Sequence, residues 1–472
     1  ARKGKSSHIE IDQLTSLFQK LESTEDIEGF QENPEAVELW LRTNLINLVY
    51  RGNMEKEKIS SLRPIHLESY RIRNAKNTRD YNSADQVYLM LGEDPSLKEE
   101  LKVFLSQGWD ETTNSLVNSK ELDVDTLGVL HLIKNIKPGF LTSQSSLNRI
   151  KPLLPEQAKL YCEDVRRLLV YKSKIPRNVL IDYLKTITSF HLSLYIHKLI
   201  YLLPKMVEAG SKNVEDDWSI VIDTTDDFNS KISTLAIQDA THTFNSLYDY
   251  IKAVFKINTL VYRLKLDDTD SSSVDKALHL LKNEIKDYEI NFETYWDLTL
   301  EEQDEEDQEL MIESVQYENT YFERYVELLM KEKGAYQLKY YPQFLDAISQ
   351  KNSERGFLAQ GRSKKHPRRY VLGTKLLEAL VQIQVLELDE GENKYATKSL
   401  SIEELLDNLR NRYGLIIDGI DEERFKDADL PTHLAFKENI EAFKSKLRQI
   451  GFFNDLSDAY ILQRIRPRYE LS

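Results

Sequence analysis

Apolar residues recur at spacings of three and four along most of the chain, which is the signature of helices with one buried face. In "NPEAVELWLRTNLINLVYRG", residues 33–52, Asn33 stands where a cap belongs, Pro34 at the first helical position and Gly52 at the stop. "DPSLKEELKVFLSQG", residues 94–108, repeats that design. Residues 154–204 predict two helices broken near Ile175–Pro176. The second, about 179–203, is apolar nearly all round and is expected to run through the middle of a domain. More helices are expected over about 228–264 and 273–290. Residues 300–334 open with a dense acidic run and end with Lys331 and Lys333, a polarity that suits a helix dipole. Strand signals are sparse. Ile220, Val221 and Ile222 lie between acids and predict one extended segment, and "LIID" at 415–418 predicts a short strand.

The last part of the chain has a different rhythm. A helix is expected from Thr374, then a charged turn around Gly391. Ser401 and Glu404 have capping-box spacing, ahead of a helix whose apolar face is Ile402, Leu405, Leu406, Leu409 and Tyr413 and which Gly414 stops. A third helix, about 432–450, presents Phe436, Ile440, Phe443, Leu447 and Ile450, and Gly451 ends it. A hairpin should follow, with one strand near Phe452–Leu456, a turn at Ser457–Asp458 and a second strand from Tyr460 to about Arg466. Arg464 and Arg466 then share a face, Arg468 continues the parity beyond Pro467, and same-face residues repeat every ~6.6 Å. Three helices followed by a basic hairpin resemble a winged-helix domain. The fold expected is mainly α, a multi-helix N-terminal region followed by a winged-helix-like α+β C-terminal domain.

Charge sharpens this division. The chain of 472 residues has 63 Lys and Arg against 78 Asp and Glu. Residues 355–472 hold 20 of the bases and 19 of the acids, which leaves 43 and 59 to residues 1–354. Two domains are therefore expected, an acidic helical region over 1–354 with an internal break near 210–228, and a basic-patch domain over 355–472. At its entrance "GRSKKHPRRY" concentrates Arg362, Lys364, Lys365, Arg368 and Arg369 with no acid among them. If the ends of the domain lie together, these five join Arg464, Arg466 and Arg468 in one phosphate-binding surface, because phosphate neutralisation needs local charge density and not net charge. Glu403, Glu404 and Asp407 at the start of the second helix oppose base reading by that helix, so backbone contact with duplex DNA is the expected mode.

Catalytic chemistry is not legible. Gly4-Lys5-Ser6 ends like a phosphate-binding loop but lacks the earlier glycine and a preceding strand. Asp223, Asp226 and Asp227 follow an apolar strand, as metal-holding acids do in nucleotide hydrolases, but without a phosphate-binding loop elsewhere they read as a solvated strand end. Glu284–Lys286 and Glu392–Lys394 are short enough to arise by composition alone. His191 and His197 are six apart and do not share a helix face, and Asp239 and His242 could pair but lack further ligands. The single cysteine, Cys162, excludes an internal disulfide and suits a reducing cytoplasm. No cofactor or metal is expected. The most apolar stretch, 190–206, is interrupted by charge and by Pro204, so no membrane span is expected.

The whole is similar to accessory subunits encoded beside ATPases and nucleases in bacterial anti-phage and restriction systems. It also looks like the winged-helix partners of chromosome-organising ATPases. The resemblance implies a non-enzymatic DNA-associated subunit with a partner protein such as an ATPase or nuclease. Two other readings stay open: a metal-dependent nuclease using Asp223, and a pure protein-interaction scaffold.

Overall fold

A computed structural model of the chain describes residues 82–118, 150–266, 270, 272–283, 285–301, 304–361, 363, 366–389, 394–420, 422–452 and 464–471, with isolated positions before 82 and between 119 and 149. Helix α1 spans Ser83–Leu91. Asp94 accepts from the backbone N of Leu97 and caps α2, Pro95–Leu105, with proline at the first position as the sequence predicts. A two-stranded antiparallel ribbon follows, β1 (Trp109–Asp110) with β2 (Ser115–Leu116). Helices α3 (Pro155–Leu169) and α4 (Arg177–Ala209) flank the predicted break, and α4 runs on through Pro204. Then come β3 (Ile220–Val221), α5 (Lys231–Asn245), α6 (Leu247–Arg263) and α7 (Ser272–Asn283). Next are α8 (Glu289–Glu301), α9 (Glu305–Ser314), α10 (Tyr321–Leu329) and α11 (Ala335–Ile348). Hairpin β4 (Leu358–Gln360) and β5 (Arg368–Tyr370) leads to α12 (Thr374–Gln384), hairpin β6 (Leu386–Asp389) and β7 (Lys394–Thr397), and β8 (Leu400–Ser401). The chain closes with α13 (Ile402–Tyr413), β9 (Leu415–Ile416), α14 (Leu430–Gln449) and β10 (Arg464–Ile465). The architecture is mainly α, with short strands. No helix among the described residues is long and apolar enough to cross a membrane.

Two compact units divide the chain. One takes residues 1–80, 94–145 and 172–182, the other 81–93, 146–171 and 183–472. In the first, Trp109 is buried, and Arg177 donates to Thr126 Oγ1 at 2.6 Å with its guanidinium over the Phe104 ring.

The second unit has two centres. In one, α4 is buried as expected, with Ile187, Leu194 and Ile200 fully enclosed. Asp164 on α3 lies beside it and is itself fully buried. Its carboxylate accepts from His191 Nε2 at 2.9 Å, from Arg412 Nη2 at 2.6 Å and from Tyr413 Oη at 2.5 Å, which ties α3, α4 and α13 together. Burial alone would raise the Asp164 carboxyl. The hydrogen bond and charge of His191 and the charge of Arg412 outweigh it and hold the carboxyl below its usual range. Cys162 is buried and donates to the Met90 carbonyl at 3.2 Å, in keeping with a packing role.

The other centre is a small parallel sheet. β3 pairs with β9, Ile220 with Leu415 and Val221 with Ile416, and on its other side Asp223 bridges in parallel to Val371. Parallel neighbours need a long crossover, and these strands come from distant parts of the chain. Helices α5 and α14 cover the pair, and Val221, Ile232, Ala236, Ile416, Phe425, Ala435 and Phe436 form a closed apolar cluster. Asn439 on α14 fastens the strand ends: its Nδ2 donates to the carbonyls of Ile222 and Ile417, each at 2.9 Å, and its Oδ1 accepts from Thr224 N at 2.8 Å.

Two sequence expectations change, and parts of others lie outside the described residues. The charge step near 350 does not mark the edge of a compact unit, since 355–472 lies in the same unit as 183–354 and β3–β9 pairing spans the step. Net charge is a property of surface residues and does not report where a core is cut. Residues 300–334 are not one dipolar helix: α9 ends at Ser314, and Thr320 begins α10 afresh by accepting from Glu323 N at 3.1 Å. The residues expected to make most of the terminal hairpin, 453–463, lie outside the described ones, as do 36–50 of the first expected helix and Gly4-Lys5-Ser6. What is described of the hairpin is β10, which pairs antiparallel with β8 (Arg464 with Ser401, Ile465 with Leu400), and a bond from Arg466 N to the Phe452 carbonyl at 3.2 Å.

Candidate nucleic-acid interface

The basic cluster straddles the β4–β5 hairpin. Its base is set by Asn352, whose Oδ1 accepts from Gln360 N at 2.8 Å and whose Nδ2 donates to the Gln360 carbonyl at 3.0 Å. Gly361 lies so close to the His366 ring that an added Cβ would come within 1.9 Å of Nδ1, so no larger residue fits there without the ring moving. Arg362, Lys364 and Lys365, on the loop between the strands, lie outside the described residues.

The two arginines on β5 are committed to the protein itself. Arg368 binds Asp346 of α11 bidentately, Nε to Oδ1 at 2.7 Å and Nη2 to Oδ2 at 3.0 Å, and its guanidinium stands 4.3 Å from the Phe244 ring centre. Arg369 is only 4% exposed. It donates to Asp223 and to Ser233 Oγ, with Phe228 stacked 4.0 Å away. Both were expected to meet phosphate. Asp223, Phe228 and Ser233 enclose Arg369, and Asp346 holds Arg368.

This arrangement also decides how Asp223 is used. Its carboxylate, fully buried, accepts from Thr225 N and Oγ1 at 2.8 and 2.7 Å besides Arg369. Asp226 pairs with Lys446 at 3.1 Å, and Asp227 accepts from Asn229 N at 2.9 Å. Among the described residues no group of three or more His, Cys, Asp or Glu is placed to hold a metal. Asp239, which by spacing could pair with His242, is bound at both oxygens by Arg424, while Val221 N donates to Asp239 Oδ2 at 2.7 Å. No local spacing could announce these partners, because Asp223 and Arg369 are 146 residues apart and Asp239 and Arg424 are 185 apart.

At the other end of the segment Arg464 and Arg466 are exposed and flank Ile465, which is fully buried. β10 lies against Ser401, the N-cap of α13, where Ser401 Oγ accepts from Glu404 N at 3.1 Å and Glu404 returns a bond to Ser401 N at 2.7 Å. At the far end of α13 Gly414 takes the left-handed φ of 71° and closes the helix. Arg468 points its guanidinium to Glu378 of α12 and to the Ile450 carbonyl, and lies over the Phe452 ring at 4.7 Å. The eight residues thus fall into three sets: three on the loop outside the described residues, three in internal ion pairs, and two, Arg464 and Arg466, exposed on β10 and the residue after it.

A family model matches residues 1–469, and the chain belongs to that family, described as methylation-associated defense system protein MAD7. No curated protein and no solved structure matches the chain.

Proposed function

We propose that this chain is a non-enzymatic, DNA-associated subunit of a multiprotein anti-phage defence assembly, and that its C-terminal segment contacts the phosphate backbone of duplex DNA. Family membership supports the defence setting. The observation that carries the DNA reading is the exposed pair Arg464 and Arg466 on either side of buried Ile465. Their setting supports it too: helix α12, strand β8, helices α13 and α14, then β10 returning onto β8 is a winged-helix-like order, with the β6–β7 hairpin and β9 inserted. In such a domain the arginines lie at the root of the wing, and Arg362, Lys364 and Lys365 are, from their charge in the sequence, further candidates for phosphate contact. The acids that open α13 keep that helix away from phosphates, so contacts fix position without reading sequence.

The nuclease alternative loses its support at Asp223, whose carboxylate is already held by Arg369 and Thr225. A protein partner, an ATPase or a nuclease, supplies the chemistry in this reading. Exposed apolar side chains on α8, α9 and the turn after them, such as Ile290 at 76% and Tyr317 at 86%, offer it a surface. The test is co-purification of the untagged assembly from its native host with nucleic acid left in. The reading expects a stable partner protein and protected DNA. Recovery of this chain alone and free of DNA contradicts it.

A further inference from the structure

In the second unit, helix α8 turns apolar side chains away from the core. Its inner side buries Phe292 and Trp296, and Trp296 packs with Val315 and Leu328 while Leu300, Met311 and Tyr321 close around them. With that side filled, no roll of the helix would bury the opposite one. At about 3.6 residues per turn, Ile290, Thr294 and Leu298 fall along that opposite face with Asp297 and Glu301 beside them, and all five are exposed. Leu310 and Ile312 on α9 and Tyr317 just after it are exposed as well. We propose that this surface docks a basic amphipathic helix of the partner protein, its apolar residues against Ile290 and Leu298 and its Lys or Arg against the neighbouring acids. The inference rests on the partner reading above and adds the partner's chemistry.

Charge complementarity selects that occupant. Residues 287–323 hold fourteen Asp and Glu and no Lys, Arg or His. Asp297, Glu301, Asp304, Glu309 and Glu313 are exposed, and none is in an ion pair with a described residue. Acids that face α6 differ: Glu323 and Glu327 on α10 are matched by Lys256 at 2.6 Å and Lys252 at 3.0 Å. The outward acids lack the compensation that the protein gives its inward ones. DNA and anionic lipid are repelled by such a field, and a second copy of the chain would set like charge against like. A neutral apolar partner would cover Ile290 and Leu298 but strip water from unpaired carboxylates, which is costly. A basic helix answers both. Apolar residues at spacings of three and four on such a helix follow the stripe on α8, and basic residues along its edges reach the flanking acids.

The test is fluorescence anisotropy of a labelled, capped Leu–Lys peptide of about 18 residues, roughly five helical turns with the leucines on one face, titrated with the full chain. A Leu–Glu peptide of the same pattern is the control and should not bind. Saturable binding of the Lys peptide is expected, weakened about tenfold by Ile290→Ser with Leu298→Ser and about fivefold by Asp297→Asn with Glu301→Gln. All four positions are on the surface, so these variants fold. No binding of the Lys peptide, equal binding of both peptides, or binding untouched by both pairs of substitutions overturns the proposal. So does a dimer of the chain that dissociates in the Ile290→Ser, Leu298→Ser variant in sedimentation velocity, because a second copy then fills the surface. Recovery from the native host separates this inference from the partner reading. A partner that still comes down with both variants leaves that reading standing and overturns the surface. Peptide binding as expected, with no partner recovered, supports the surface and contradicts the assembly.

Discussion

Arg369 and Asp223 form a buried ion pair across 146 residues of sequence. The backbone joins the same two segments, with Asp223 N donating to the Tyr370 carbonyl at 2.9 Å. An arginine of the basic cluster and the acid at the end of the apolar strand thus satisfy each other, and neither is left for phosphate or metal.

Breaking that pair should cost stability. Asp223→Ala leaves the Arg369 guanidinium buried without its counter-charge, and a loss of about 3–5 kcal/mol is expected in urea unfolding. The double variant Asp223→Leu with Arg369→Met should recover much of it, because two apolar residues leave no orphaned charge. A stable Asp223→Ala protein that has lost a metal-dependent cleavage activity would return the site to the nuclease reading.

Asn439 should be nearly as sensitive. It is fully buried, donates to two strand-end carbonyls and accepts from Thr224. Asn439→Leu keeps the volume but strands those backbone groups, at about 1–3 kcal/mol for each one left unmade. Thermal unfolding should show a clear drop, and an unchanged midpoint would mean that α14 does not fasten the parallel strands.

The Asp164 network predicts a pH-dependent difference between wild type and Asp164→Asn. The folded carboxyl titrates below its ordinary 3.8, so its contribution is complete above that value and is lost as pH falls below it. At neutral pH the variant should be about 3–5 kcal/mol less stable. The gap should close under acid, and a gap constant down to the lowest pH at which the protein folds would show that the charge of Asp164 is not what stabilises the fold.

His197 gives a different window. Unfolded, it takes a proton near 6.5, and folded only near 4, so its contribution is full above 6.5 and is lost as pH falls toward 4. The loss is about 3 kcal/mol over that interval. Chemical denaturation at several pH values should show this slope in wild type and a shallower one in His197→Gln. Equal slopes would exclude a neutral buried imidazole.

How much of this was open to sequence reading follows from how local each cause is. Asp94 with Pro95 and Ser401 with Glu404 act within one helical turn, and the structure repeats those caps. The apolar circumference of α4 placed it in the core for the same reason. The parallel pairing of β3 with β9, the Asp164 network and the Arg369–Asp223 pair join residues far apart in the chain, and no spacing encodes them. The basic cluster misled in part because charge in a sequence has no direction. Of "HPRRY", Asp223 and Ser233 take Arg369, and Asp346 of α11 takes Arg368.

Backbone binding to duplex DNA is the central claim, and fluorescence anisotropy of a labelled duplex with the full chain across a salt series tests it most directly. With about four phosphates neutralised, a fourfold rise in salt should weaken binding on the order of 100-fold. Unrelated duplex sequences should bind alike, because phosphate contacts position without specifying. Arg464→Glu with Arg466→Glu, and separately the reversal of Arg362, Lys364 and Lys365, should each lower affinity for every sequence and flatten the salt slope. No binding at low salt, or binding untouched by both sets of reversals, would contradict the account.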